Sequence, residues 1–490
     1  MSESIKQQAI NGVLWSGIQK FGISFISFVS NIVLARLLTA DDYGCIGLLA
    51  IFIAVSNALV LGGFISALIQ KKDADETDFS TVFFWNIVVS VLLYGVLFFA
   101  SPYIADYYRI ERLSTILRVQ GLILLINGLS AVQTTLLRKT LQFKKLATIN
   151  LVSAVVSISV ALVLAYHGFG VWSLVAQQLV SSSCNTVILW ITSKWRPSFV
   201  FSFESFKGLF SYGCFLLLSD LINTLCDNIQ GLIIGKRFNS STMGYYTQAK
   251  RLEEVPTQSI SQLVAQVTFP IYAKIQDDVD KLRSAVKGTL ALMNYVNFPL
   301  MVLLIVVAKP LIIVLYSEKW VTSIPYFQIL CVAGIVNCLQ SVNYQVVSAT
   351  GRSKQLFIWN FVKRGSGILL IILGALSGVK GILWGMVVSY YIIYVINARL
   401  AFQSTHYSIW EQLLDSMPIL AIALVSGVIA YCFSYLFSGN GLLLFVQIIV
   451  YLLSYYLLSL LLKRKELREI QTIVISYINR LFGHVNSIKN

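Results

Sequence analysis

Three stripes of polar side chains run along faces that are otherwise apolar, and they mark where this sequence could do chemistry. Ser16, Lys20, Ser24, Ser27 and Asn31 recur at helical spacing, as do Asp220, Asn223 or Thr224, and Asp227. Arg251, Gln258, Ser259, Gln262 and Gln266 form the third stripe. The segments around them have the length and apolarity of membrane spans. An ionisable group at the bilayer centre costs about 2.5–3.5 kcal/mol or more, so it faces a cavity or a partner. Interhelical hydrogen bonding uses the same residue types, but three stripes that carry charges exceed that need. Lysine offers an anion a point charge and arginine a bidentate fork, which suits phosphate or pyrophosphate. The candidate substrate-binding residues are therefore Lys20, Asn31, Lys250, Arg251, Gln262 and Gln266. Asp220, Asp227, Glu253 and Glu254 are candidate proton or sodium sites, or charge partners of the cations. Lys363 and Arg364 form a secondary set near the end of a span, where snorkelling to the interface is an equal reading.

Catalytic signatures are missing. No GxxxxGK[ST] occurs, so the chain has no ATP-hydrolysing P-loop of its own. His167, His406 and His484 are scattered and the 7 cysteines show no ligand spacing, so neither a metal nor a cofactor is expected. Asp73-Ala-Asp75 imitates a sugar-nucleotide transferase motif, but it lies in a short charged loop with no soluble domain attached. The expectation is a transporter, not an enzyme.

The elements that must position these residues follow from composition. Of 490 residues, 57% are hydrophobic and 12% charged, against about 25% charged in a soluble domain. The mean hydropathy is +0.76. A soluble fold of this composition would expose a large apolar surface, which excludes a cytosolic enzyme or a nucleic-acid binder despite a net charge of +15. The apolar residues come in long runs such as Ile149–Tyr166 and Gly441–Leu462, near the 20 residues a helix needs to cross the hydrocarbon. Backbone groups in lipid must pair internally, so the runs are helices. About fourteen spans are predicted, joined by short connections. Lys20 interrupts the first apolar run, which predicts a retained first helix in place of a cleaved signal peptide. One set of loops, together with both termini, carries about twice the Lys and Arg of the alternate set, which places both termini in the cytoplasm. The excess base is thus mostly a topology signal.

The chain also repeats itself. NIVLARLLTADDYG at 31–44 aligns with GLIIGKRFNSSTMG at 231–244, so Arg36 falls on Lys236 and Gly44 on Gly244. LQFKKLATINLV at 141–152 aligns with GRSKQLFIWNFV at 351–362, placing Asn150 on Asn360. The prediction is an all-α polytopic protein of two six-helix lobes in a parallel pseudo-twofold repeat, residues 1–192 and 193–402. Two additional spans at 403–462 and a basic amphipathic cytoplasmic tail at 463–490 complete it, with Leu467, Ile470, Val474, Ile478 and Leu481 on one face of the tail. The repeat maps Lys20 onto Asp220. These two could pair in an empty state, leaving Lys20 to be released for an anion.

The ordered set of segments resembles a known family. NIVLARLLTADDYGCIGLLAIF at 31–52, HGFGVWSLVAQQLV at 167–180 and GYYTQAKRLEEVP at 244–256 are similar to segments of Wzx-type polysaccharide exporters. The likeness is to their lipopolysaccharide and colanic-acid branch, within the multidrug/oligosaccharidyl-lipid/polysaccharide superfamily. It implies fourteen helices with both termini inside a bacterial cytoplasmic membrane. It implies flipping of an undecaprenyl-pyrophosphate-linked oligosaccharide to the outer leaflet, with a polysaccharide polymerase or ligase as a possible partner. It further implies that helices one, two, seven and eight line the cavity, and that basic residues of the first and eighth helices serve the pyrophosphate. Lys20 and Arg251 stand at roughly those places, with Lys where the related lipid II flippases have Arg. The rival readings are a multidrug antiporter of the same superfamily, which calls for an acid-dominated cavity, and a passive lipid scramblase, which needs no titratable site.

Overall fold

The computed structural model describes residues 3–437, 439–472 and 475. Among them there is no β-strand. The helices are α1 (Glu3–Leu37), α2 (Ala40–Leu61), α3 (Phe64–Gln70), α4 (Glu76–Tyr108), α5 (Arg112–Lys139), α6 (Phe143–Tyr166), α7 (Val171–Thr192) and α8 (Phe203–Arg237). They continue with α9 (Ser240–Lys274), α10 (Val279–Val306), α11 (Ala308–Tyr316), α12 (Ser323–Ala349), α13 (Ser353–Ala375), α14 (Gly378–Thr405), α15 (Ile409–Cys432) and α16 (Asn440–Leu461). Local chemistry sets several starts. Thr39 with Asp42, Asp75 with Asp78, and Ser408 with Glu411 form capping boxes that satisfy the first free N–H groups of α2, α4 and α15.

Among the described residues 12 helical segments are long and apolar enough to cross a membrane, and 13 if α8, bent by 53° between Ser211 and Gly213, is one span. With α2 and α3 taken as one broken span, α9 is the remaining long helix and brings the number near the predicted fourteen. It falls short on hydropathy because it carries the third polar stripe.

The helices group into two compact units, Met1–Thr247 and Gln248–Asn490, divided within α9. In the N-terminal unit α4 packs on α5, α6 on α7 and α1, α5 on α7, and α8 on α2, α3 and α4. Phe64, Leu68, Phe79, Phe83, Val132 and Leu209 are buried together at one end of this unit. There Lys139 Nζ donates to the carbonyls of Leu68 (3.1 Å) and Lys71 (2.6 Å), neutralising the C-terminal end of α3. Lys71 Nζ lies 2.6 Å from the carboxylate of Asp78, whose side chain is fully buried.

Inside this unit the starts of α2 and α9 touch through two glycines. A Cβ on Gly44 would lie 1.8 Å from the carbonyl oxygen of Ser240, and a Cβ on Gly244 would lie 1.7 Å from that of Ala40. Residues 40 and 44 thus meet their own repeat partners, 240 and 244, crosswise. Only glycine leaves room for these two approaches.

In the C-terminal unit α12 and α13 pack on α14, α10 on α12 and α15, and α15 on α16. The core runs from Tyr272 and Leu282 through Phe298, Val342 and Tyr394 to Tyr451 and Tyr455. Of the predicted tail face, Leu467 is buried in this core and Ile470 packs against it. Val474, Ile478 and Leu481 lie outside the described residues.

Candidate functional site

The N-terminal unit contains a polar cavity of about 600 Å³, within the 300–1,000 Å³ of ligand pockets. It begins where the second span breaks. α2 ends at Leu61, Gly62 and Gly63 interrupt it, and α3 resumes at Phe64. Gly63 has φ +77° and no room for a Cβ, which would stand 2.2 Å from the carbonyl oxygen of Gly213 on α8. The break therefore presses backbone on backbone and opens a space beside it. Asn57 and Ser66 line this space from α2 and α3. Asn127, Ser130, Thr134 and Arg138 come from α5, Asn150 from α6, Ser181, Ser182 and Asn185 from α7, and Asp220 from α8.

The side chains hold one another in pairs. Asn127 Nδ2 donates to Asn57 Oδ1 (2.9 Å), and Asn185 Nδ2 donates to Asn150 Oδ1 (2.5 Å). Each pair fixes two amides and leaves half of each unused. Asn57 Nδ2, Asn150 Nδ2, Asn127 Oδ1 and Asn185 Oδ1 have no hydrogen-bond partner among the described residues, and none is sealed from solvent. Neither Arg138 nor Asp220 has a side-chain hydrogen bond or ion pair among the described residues. The cavity thus presents preset donors and acceptors, one cation and one anion. It lies toward the basic end of the helices. Asn150 and Asn185 each sit seven residues from an end of α6 and α7 that is flanked by Lys144 and Lys145 or by Lys194 and Arg196, a depth of about 10 Å.

The predicted site residues are distributed differently. Asp220 reaches the cavity. Lys20 does not line it: it is an exposed residue of α1, the helix that packs on α6, and it forms no ion pair with Asp220. Asn31 Oδ1 accepts from Tyr43 Oη (3.2 Å), which ties α1 to α2. Asp227 is an exposed residue of α8. Lys250 pairs with Glu254 at 3.7 Å along α9, and Arg251 is exposed beside them. Gln262 and Gln266 fall on α9, but their side chains lie outside the described residues.

Two predicted residues sit in the C-terminal unit, Glu253 half-buried and Lys363 buried. Glu253 Oε1 accepts from Thr257 Oγ1 (2.6 Å) and lies 2.9 Å from where Gly334 of α12 would carry a Cβ. Any larger residue at 334 would displace the carboxylate. Lys363 is 6% exposed, so it is an interior group and not a snorkelling one. Its Nζ donates to Asn397 Oδ1, and Asn397 Nδ2 donates to the carbonyl of Gln340 (3.3 Å). No carboxylate pairs with Lys363 among the described residues. Arg364, its neighbour, is half-buried.

The sequence reading passed over most of the cavity. Asn150 figures in the sequence only through the alignment of 141–152 with 351–362. The available signals were the Gly62–Gly63 doublet in an apolar run and the Ser181–Ser183 run followed by Asn185.

A family model described as polysaccharide biosynthesis protein matches residues 33–325. The teichuronic acid biosynthesis protein TuaB of Bacillus subtilis is 30% identical over 370 residues, 75% of this chain and 76% of that protein. The lipopolysaccharide biosynthesis protein WzxC of Escherichia coli is 24% identical over 437 residues, 87% and 89% of the two chains. Among solved structures, the lipid II flippase MurJ in an inward closed conformation superposes with a TM-score of 0.74 at 16% identity, covering 92% of this chain and all of that one.

Proposed function

The chain belongs to the polysaccharide biosynthesis protein family, and from that premise we propose that it flips a polyprenyl-pyrophosphate-linked oligosaccharide across the bacterial cytoplasmic membrane. The family match carries the reading. The fold shared with a lipid II flippase agrees with it.

The chain is organised as two six-helix lobes, residues 1–192 and 193–402, followed by two further spans and a cytoplasmic tail. The crosswise contacts of Gly44 with Ser240 and Gly244 with Ala40 support the two-fold relation between them. Both termini face the cytoplasm, on the side that holds most Lys and Arg. Alternating access exposes a polar region to one side and then the other. Lys20, Lys250 and Arg251 attract the pyrophosphate, while Asn31, Gln262 and Gln266 hydrogen-bond the substrate. Asp227, Glu253 and Glu254 act as charge partners or carry the coupling proton or sodium ion, as does Asp220 when no substrate is near. The lipid tails stay in the bilayer against apolar helix faces. The transported repeat unit then passes to a polymerase or ligase.

Complementation tests this. The chain is expressed in a bacterium that lacks its own exporter and makes the cognate lipid-linked repeat unit. Surface polysaccharide and accumulated intermediate are measured. Wild type restores export, and Lys20→Ala and Arg251→Ala stall it while the protein stays in the membrane. Drug resistance without restored export would instead select the antiporter reading.

A further inference from the structure

The polar cavity of the N-terminal unit has chemistry that the pyrophosphate reading leaves unused. Eleven of its seventeen lining residues carry polar side chains, and none is aromatic. Recognition there works by hydrogen bonds, not by stacking, and a lipid tail would strand the polar groups unpaired. A single carboxylate, opposed by a guanidinium, is also a poor host for an organic cation. What remains is a ligand that both donates and accepts at many points. A sugar ring does this, because each hydroxyl is one donor and an acceptor. The unused halves of the two amide pairs supply both kinds of partner: Asn57 Nδ2 and Asn150 Nδ2 donate, while Asn127 Oδ1 and Asn185 Oδ1 accept. The amides are already held by one another, so little side-chain freedom is lost when a ligand arrives. The carboxyl oxygens of Asp220 accept from hydroxyls, and Arg138 is available for an oxyanion.

We propose that this cavity is a carbohydrate subsite that binds the sugar of the lipid-linked oligosaccharide, with the amides and Asp220 on its hydroxyls and Arg138 on an oxyanion of the glycolipid. The proposal rests on the flippase reading and names where that reading's substrate is recognised. The oxyanion is a sugar carboxylate or the pyrophosphate, two sources of one chemistry. The subsite is built from one unit alone, and the Gly62–Gly63 break gives it its floor.

The test is a lipid titration of the purified full chain in nanodiscs, read by native mass spectrometry. One probe is bare undecaprenyl pyrophosphate. The other is the lipid-linked repeat unit extracted from the source organism after deletion of this gene, so that the intermediate accumulates. Wild type prefers the glycolipid by at least ten-fold. In Asp220→Asn, and in the double variant Asn127→Ala/Asn185→Ala, that preference falls toward unity, with thermal unfolding as the control for folding. Arg138→Gln locates the oxyanion: weakening with the glycolipid alone puts it on the sugar, and weakening with both probes puts it on the pyrophosphate. Equal wild-type affinity for the two probes overturns the subsite while leaving the flippase reading standing. Variants that keep the full preference overturn it as well. Failure of wild type to bind either polyprenyl lipid overturns the flippase reading itself.

Discussion

Replacing Gly44 or Gly244 by alanine should destabilise the protein, and the structure gives the size of the effect. The added methyl carbon would stand 1.8 Å from the Ser240 carbonyl oxygen in one case and 1.7 Å from the Ala40 carbonyl oxygen in the other. Ordinary contact begins near 3.4 Å. The start of α2 and the start of α9 must therefore part by about 1.6 Å, and both obstacles are backbone, which has no rotamer to yield. Overpacking of this kind costs about 1–3 kcal/mol. Alanine's better helix propensity returns about 0.5–1 kcal/mol, leaving a net loss of up to about 2.5 kcal/mol per site. Gly95 on α4 has nothing within 4 Å of its would-be Cβ, so Gly95→Ala is the matched control and should gain stability. The double variant discriminates further. One parting of the helices relieves both clashes, so Gly44→Ala/Gly244→Ala should cost well under the sum of the singles. Thermal unfolding of purified protein reads all four. Singles that behave like Gly95→Ala, or a double variant that is simply additive, would refute the crosswise packing and with it the structural support for the two-fold repeat.

Two further outcomes follow from buried charges. Lys363 is an interior ammonium with one amide oxygen as its hydrogen-bond partner; since desolvating an ion costs several kcal/mol, Lys363→Met should be neutral or stabilising by about 1–3 kcal/mol. Asn397→Leu, which leaves that ammonium without an acceptor, should cost about 3–5 kcal/mol, and the reverse order in thermal unfolding would sink this account. At the basic end, Lys71→Ala strands the fully buried Asp78 carboxylate with little beyond the N–H of Asp75 (3.1 Å). The double variant Lys71→Ala/Asp78→Ala should therefore be more stable than Lys71→Ala alone, and a double variant less stable than both singles would contradict it.

The parts of this molecule that could be read in advance are those written locally. Span length and apolarity gave the helices, because a chain in lipid has no other way to pair its backbone. The polar stripe that includes Arg251 and Gln258 keeps α9 from passing as a span on hydropathy, and α9 contributes no residue to the cavity described above. The alignment of 31–44 with 231–244 rested on few identities, yet its glycine pair falls where two helix starts touch. The cavity was not legible because no window of sequence contains it. Asn57, Asn127, Asn150 and Asn185 lie on four helices, and one polar residue in an apolar helix is by itself an ordinary interhelical hydrogen bond. Only the packing of α5 and α6 against α7, and of α2 and α3 against α8, brings them together.

The two units treat their polar groups differently, and the difference bears on where ligand is met. In the C-terminal unit three amides bond to interior partners on another helix. Asn343 Nδ2 donates to Gln412 Oε1 (2.9 Å) and Gln412 Nε2 returns the bond to Asn343 Oδ1 (3.2 Å), while Asn294 Nδ2 donates to Ser416 Oγ (2.8 Å). These groups are buried, and the bonds link α12 and α10 to α15, the helix beyond the repeat. In the N-terminal unit the corresponding investment in amides stops half-way: each pair fixes its geometry and leaves its second valence open to solvent. The Asn343–Gln412 pair bonds in both directions and ties α12 to α15, although Asn294 Oδ1 stays buried without a partner, whereas the N-terminal amides keep their unused atoms within reach of solvent, where a ligand can meet them. The N-terminal unit thus keeps the half-used polar surface, with Asp220 and Arg138 as charges without an ion-pair partner among the described residues.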